Sequence, residues 1–130
     1  MDTYKEWFKR AAGSFLIAKK LAKEDGLYFE DLCFHLQQSV EKALKGLILF
    51  YCGEFKKTHD LSVLIGLLEQ YVEVPDDILD VIRLDIYAVE TRYPGIYDIV
   101  SREEFETHLQ VVELFLKWVE DIIKDKNNIL

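Results

Sequence analysis

Apolar positions recur at intervals of three and four along nearly the whole chain, and they divide it into five helical segments. Thr3-x-x-Glu6 has the spacing of a capping box, and Trp7, Ala11, Phe15, Ala18 and Ala22 follow at helical intervals until Gly26 supplies a stop. From about Tyr28 to Cys52, residues Leu32, Leu36, Val40, Ala43, Leu44, Leu47 and Tyr51 form one stripe on what reads as the longest helix, with Glu41 and Lys45 four apart near its edge. Gly53 closes that helix, and Glu54-Phe55-Lys56-Lys57 leads into a short third one. There Leu61, Leu64, Ile65 and Leu68 face inward, and the helix ends near Tyr71.

Pro75-Asp76-Asp77 predicts a fourth helix start, because Asp accepts from the free N–H groups of a first turn. Ile78, Ile82, Ile86 and Val89 continue its pattern, and Pro94 disfavours helical geometry at Tyr93. Ser101-x-x-Glu104 opens the last helix, where Phe105, Leu109, Val112, Leu116, Val119 and Ile123 make one stripe. Val111, Leu114, Phe115, Trp118 and Ile122 make much of a second. A helix apolar on two sides needs two partners, either a homodimer face or a deep place in the bundle. Asp125-Lys126-Asn127-Asn128 should fray. The sum is an all-α chain, an antiparallel up-and-down four-helix bundle with an additional short helix, in a single domain over 1–130.

Composition narrows the function classes. The chain is 50% hydrophobic, with only 2 prolines and 6 glycines, and these fall between the periodic runs. Acidic residues outnumber basic ones 24 to 16, and the net charge of −8 argues against loose, sequence-independent nucleic-acid binding while leaving room for a local basic site. Cys33 and Cys52 sit roughly 28 Å apart on one helix at about 1.5 Å of rise per residue, too far for a disulfide, and are expected to be buried free thiols in a reducing compartment. No signal-peptide pattern and no bilayer-length apolar run is present, so the expectation is a soluble, cytoplasmic protein without a membrane partner. No His or Glu spacing builds a metal site on a helix, and no Gly-rich phosphate loop or serine nucleophile motif occurs, so neither metal nor cofactor is expected.

Three motifs in order, Gln38-x-x-Glu41-Lys42-Ala43-x-Lys45, then His59-Asp60-Leu61, then Arg92-Tyr93-Pro94, resemble the HEPN domain. This is the small helical module found beside minimal nucleotidyltransferases, and the likeness spans nearly the whole chain. The resemblance implies a homodimer that partners a minimal nucleotidyltransferase, often as a toxin–antitoxin pair, and binds nucleotide or RNA. It also implies, for catalytic members, a metal-independent ribonuclease with an Arg followed four to six residues later by a His. Arg92 matches the Arg, but Tyr93 through Ile99 contains no histidine. Tyr97 is a poor general base near neutral pH, and Asp98 would repel phosphate.

The site residues expected on this reading are Arg92, Tyr93, His59, Lys42 and Lys45, with Arg92 and the lysines meeting phosphate. Arg92 and His59 are the catalytic candidates if the chain is an enzyme. His59 follows Lys56, Lys57 and Thr58 at the start of the third helix, where free N–H groups favour anions. The opposing reading makes His59 or Asp60 the helix cap and pairs Arg92 with a carboxylate such as Glu41. Arg102 and His108 satisfy the Arg–His spacing literally, yet Glu103, Glu104 and Glu106 crowd the interval and six helical positions turn the two side chains about 120° apart. A purely structural helical adaptor is the third alternative.

Overall fold

The computed structural model describes residues 3–54, 57–88 and 99–128. Helix α1 runs Tyr4–Leu21, α2 Phe29–Cys52, α3 Leu61–Leu68 and α4 Arg102–Asn128, with a 3-10 helix over Asp76–Tyr87 between α3 and α4. The Thr3 hydroxyl accepts from the Glu6 amide at 3.4 Å, so the first box caps α1 as the spacing predicts. The second box is also formed, with Ser101 Oγ accepting from the Glu104 amide at 3.1 Å. Gly53 closes α2 at φ +87°, a left-handed conformation that glycine adopts without a Cβ penalty. At 27 residues α4 exceeds the 24 of α2, so the longest helix is the last one.

Helix α2 is the hub, packed against α1, α3, the 3-10 helix and α4. Leu36, Val40, Ala43, Leu44 and Leu47 are fully buried on it, as are Ala18 of α1, Leu61, Leu64 and Leu68 of α3, and Val112 of α4. Each full burial of a Leu or Val side chain contributes roughly 1.5–3 kcal/mol. Most of the second apolar stripe of α4 goes inward too. Phe115 is buried, Val111, Trp118 and Ile122 pack half-buried on the core, and Leu114 stays exposed. Neither cysteine is in a disulfide: Cys33 is buried, whereas Cys52, at the last turn of α2, is exposed.

The fourth segment departs from the α-helix that the sequence suggests. Its buried residues are Ile78, Val81, Leu84 and Tyr87, a strict interval of three that matches three residues per turn. The interval-of-four set fails: Ile82 is half-buried and Ile86 is 65% exposed. Pro75 is the N-cap, and no side chain caps the segment, so Asp76 and Asp77 do not play that part. Val89 and the stop at Pro94 lie outside the described residues. Tyr87 ends the 3-10 helix in the core, where burial, followed by its electrostatic interaction with Cys33, pushes its phenol up to about 12. Just before α4, the Val100 amide donates to the buried Glu30 carboxylate on α2.

Candidate functional site

The polar centre of the molecule is built on one face of α2. Gln37, Glu41 and Lys45 follow each other at intervals of four, so their side chains stack over successive turns. All three are buried, Gln37 completely. Glu41 Oε2 receives Lys45 Nζ at 2.9 Å and His59 Nδ1 at 2.9 Å, while Oε1 receives Gln37 Nε2 at 3.1 Å. Gln37 Nε2 also lies 3.4 Å from the His59 carbonyl, which ties the loop before α3 to α2. Burial pushes the Glu41 carboxyl up, but the hydrogen bonds from Lys45, Gln37 and His59 outweigh it and hold the group below its ordinary value. Glu41 is therefore an anion at neutral pH.

An ionised carboxylate only accepts, so His59 Nδ1 must carry the proton of this hydrogen bond. Nε2 is then the ring atom left to act. The His59 side chain is 77% exposed while its carboxylate partner is 6% exposed. The result is a surface imidazole held from below through Nδ1, the arrangement by which a carboxylate orients a histidine ring toward a ligand.

The helix start beside it is closed to anions. Asp85 of the 3-10 helix accepts the Leu61 amide with its two carboxylate oxygens at 3.0 and 3.1 Å. Asp60 Oδ1 accepts the Ser62 amide at 2.9 Å and the Val63 amide at 3.4 Å. The first-turn donors of α3 thus already have carboxylate partners, and Asp60, not His59, is the cap. A phosphate at this end of α3 would meet two negative groups.

The predicted site residues do not all converge. His59 and Lys45 meet on the Glu41 carboxylate. Lys42 points the other way, into the seam with α1, where Nζ donates to Ser14 Oγ at 2.9 Å. Arg92 and Tyr93 lie outside the described residues, as do Lys56, Tyr97 and Asp98, and so does the pairing of Arg92 with Glu41. Arg102 has a structural place: its guanidinium lies 5.0 Å from the centre of the Phe29 ring and donates to the Ala22 carbonyl at 3.3 Å. His108 instead faces Tyr87, ring centres 6.0 Å apart. Sequence reasoning missed Glu41 as the group that orients His59 and Asp85 as the remote cap. Only the Glu41–Lys45 spacing pointed to the first, and nothing local to the second.

No helix of the described residues is long and apolar enough to cross a membrane. The profile of the HEPN domain matches residues 4–122. Among solved structures, the chain is similar to TT1696 from Thermus thermophilus at 30% identity and a TM-score of 0.78, over 93% of this chain and 98% of that one. It is also similar to ST0689, described as an archaeal HEPN homologue, at 29% identity and a TM-score of 0.71, over 95% of this chain and 99% of that one. No curated protein matches. With the family profile spanning four of the five helices in full and α4 as far as Ile122, and with both structural relatives overlapping over nearly their whole length, the chain belongs to the HEPN family.

Proposed function

We propose that this HEPN protein is a nucleotide- or RNA-binding subunit that partners a minimal nucleotidyltransferase, in a module of the toxin–antitoxin type, and that it acts as a homodimer. The observation that carries the reading is the exposed His59 imidazole, fixed on a buried and otherwise saturated carboxylate. Such a group is costly to build for stability alone, because the buried Glu41–Lys45 pair beneath it must be desolvated. Exposed Leu16 and Ile17 on α1 and Leu114 on α4 supply apolar surface for a second copy or a partner.

A second reading, a metal-independent ribonuclease, draws on the same geometry. Nδ1 of His59 is engaged by Glu41 and the side chain is 77% exposed, so in its neutral form Nε2 would be the atom to take the proton that the missing histidine after Arg92 would take. Single-turnover RNA cleavage in chelator, with Arg92→Ala and His59→Ala beside the wild type, separates the two. The expected result is no cleavage of varied RNAs by the wild type, with saturable nucleotide or RNA binding that weakens in both variants. Cleavage that disappears in both variants would replace the binding reading with the ribonuclease. Absence of both binding and cleavage would leave a structural adaptor.

A further inference from the structure

On the flank of α2 away from His59, three basic side chains gather across the α1–α2 seam. His35, Gln38 and Lys42 are spaced at i, i+3 and i+7, which puts them on one face of α2 within two turns. Arg10 and Ser14 come up from the antiparallel α1, with Ser14 Oγ 2.9 Å from Lys42 Nζ. Ser39 Oγ, donating to the Ala11 carbonyl at 2.8 Å, pins the two helices in this register. The Lys42 side chain is half-buried. Among the described residues its hydrogen bond is to the neutral Ser14 hydroxyl, and no carboxylate lies within ion-pair range of Nζ. An ammonium with three donors thus uses one of them on a hydroxyl that is itself buried.

Burial, and after it the neighbouring charges, works against the charged forms of these side chains. Burial and then the Arg10 charge lower the proton affinity of Lys42, and burial and then the Lys42 charge lower that of His35. The acids nearby are otherwise placed. Glu41 turns both oxygens to Lys45, Gln37 and His59, and its charge favours protonated Lys42 less than burial and Arg10 oppose it. Glu6 reaches Arg10 at 3.4 Å in an exposed pair that leaves most of the five-donor guanidinium open. Asp31 stands one turn before His35 and acts on it more weakly than Lys42 does. Like charges held together in a half-buried seam are relieved by an anion that bridges them.

We infer that Lys42, Arg10 and His35 form a phosphate-ester site on the α1–α2 face, separate from His59, taking the phosphate of a nucleotide or of an RNA strand. Lys42 supplies a point charge with two donors in hand, Arg10 a planar fork for two phosphate oxygens, and His35 a ring that becomes a donor when protonated. The inference takes from the nucleotide- or RNA-binding reading only the identity of the ligand. The placement stands on the side chains.

The His35 ring is a built-in reporter. Proton–carbon NMR of the three histidine rings is followed while inorganic pyrophosphate, a 5′-mononucleotide and a single-stranded RNA oligomer are added in turn. The expected result is a saturable shift of His35 with pyrophosphate and a rise of its titration midpoint, because a bound anion favours the imidazolium. Lys42→Met should weaken that binding about tenfold or more and Lys42→Arg should largely retain it, since loss of one charge-assisted contact is worth about 1.5–3 kcal/mol. Saturation by the mononucleotide identifies a free nucleotide as the ligand, and saturation by the oligomer alone identifies the RNA backbone. A flat His35 titration, or one unchanged in Lys42→Met, overturns the site. A response of His59 without His35 would overturn it while sustaining the His59 reading, and the reverse would do the opposite. Unchanged helical circular dichroism of Lys42→Met and Arg10→Met separates lost binding from lost fold.

Discussion

Lys45 and Lys42 sit three residues apart on the same helix and have opposite fates. Lys45 is buried and meets the carboxylate of Glu41 at 2.9 Å, one turn earlier on its own helix. Lys42 is half-buried, and among the described residues its hydrogen bond is to the hydroxyl of Ser14. The difference follows from the neighbours that each flank receives: the α3 side brings a histidine to a carboxylate already present, and the α1 side brings a second cation to a cation. A fully satisfied network such as that on Glu41 rigidifies and orients its members, whereas the Lys42 flank carries the phosphate site inferred above.

The largest effect that tests this contrast is on stability. Glu41→Ala removes the carboxylate that Lys45, Gln37 and His59 share, leaving a buried ammonium without it. The expected loss is about 3–5 kcal/mol, read from denaturant unfolding. Lys42→Met should be neutral or slightly stabilising, because it removes a charge that folding partly desolvates and sets beside Arg10. Equal losses in the two variants would erase the distinction between the flanks. The double variant Glu41→Leu with Lys45→Met should recover much of the loss in Glu41→Ala, since replacing both charges by apolar groups removes the buried ammonium together with its carboxylate.

A middle-sized effect comes from the crossing that brings α1 to Lys42. At Gly46 an added Cβ would stand 2.6 Å from Phe8 Cε1 and 3.1 Å from Trp7 Cβ, so the helices approach through the missing side chain. Gly46→Ala should raise helix propensity yet lower stability by about 1–3 kcal/mol through overpacking. If α1 moves away, the Lys42–Ser14 contact opens while Glu41–Lys45 stays closed, and the His35 ring shift should report it. A gain in stability would show that Phe8 swings aside and that the crossing does not set the seam.

These contrasts also mark what the sequence made legible. The capping boxes, Gly53 and the stripe of α2 are local, and each appears in the fold where the spacing put it. The Glu41–Lys45 pair was visible as an interval of four. The 3-10 helix was not, because its segment carries apolar residues at both intervals, and packing selects Ile78, Val81, Leu84 and Tyr87 over Ile82 and Ile86. Among the site residues, Lys42 and Lys45 looked equivalent from spacing alone. What separates them is tertiary: His59 arrives from 18 positions away to Glu41, and Ser14 from 28 positions away to Lys42. Asp85 caps α3 from 24 positions beyond Leu61 for the same reason. Arg92 and Tyr93, two of the expected site residues, lie outside the described residues, and the Arg92→Ala variant proposed above reaches that segment directly.

The smallest effect is the pH dependence, and it separates the two flanks by window. Folded Glu41 titrates below its ordinary 4.5, so the unfolded chain takes up its proton first as the solution is acidified. The stability Glu41 contributes is therefore full above about pH 4.5 and is lost as pH falls through its lower folded value. His35 is a base whose folded value lies below 6.5, because burial and then the Lys42 charge disfavour the imidazolium, so the unfolded form again binds the proton more readily. Its contribution is present above pH 6.5 and lost as pH falls through the folded value, so the α1 flank weakens first. His108, lowered by burial first and then acted on by Glu104, Arg83 and Asp80, titrates in the same window, which makes a His35→Gln comparison necessary. Unfolding free energies between pH 7 and 4 should fall less steeply in His35→Gln than in the wild type. Saturating pyrophosphate should flatten the wild-type curve in the same way, because an anion on the seam favours protonated His35 in the folded state. A wild-type slope untouched by either change would place the whole loss on His108 and Glu41, and the charge held at Lys42 would then have no titrating neighbour to report it.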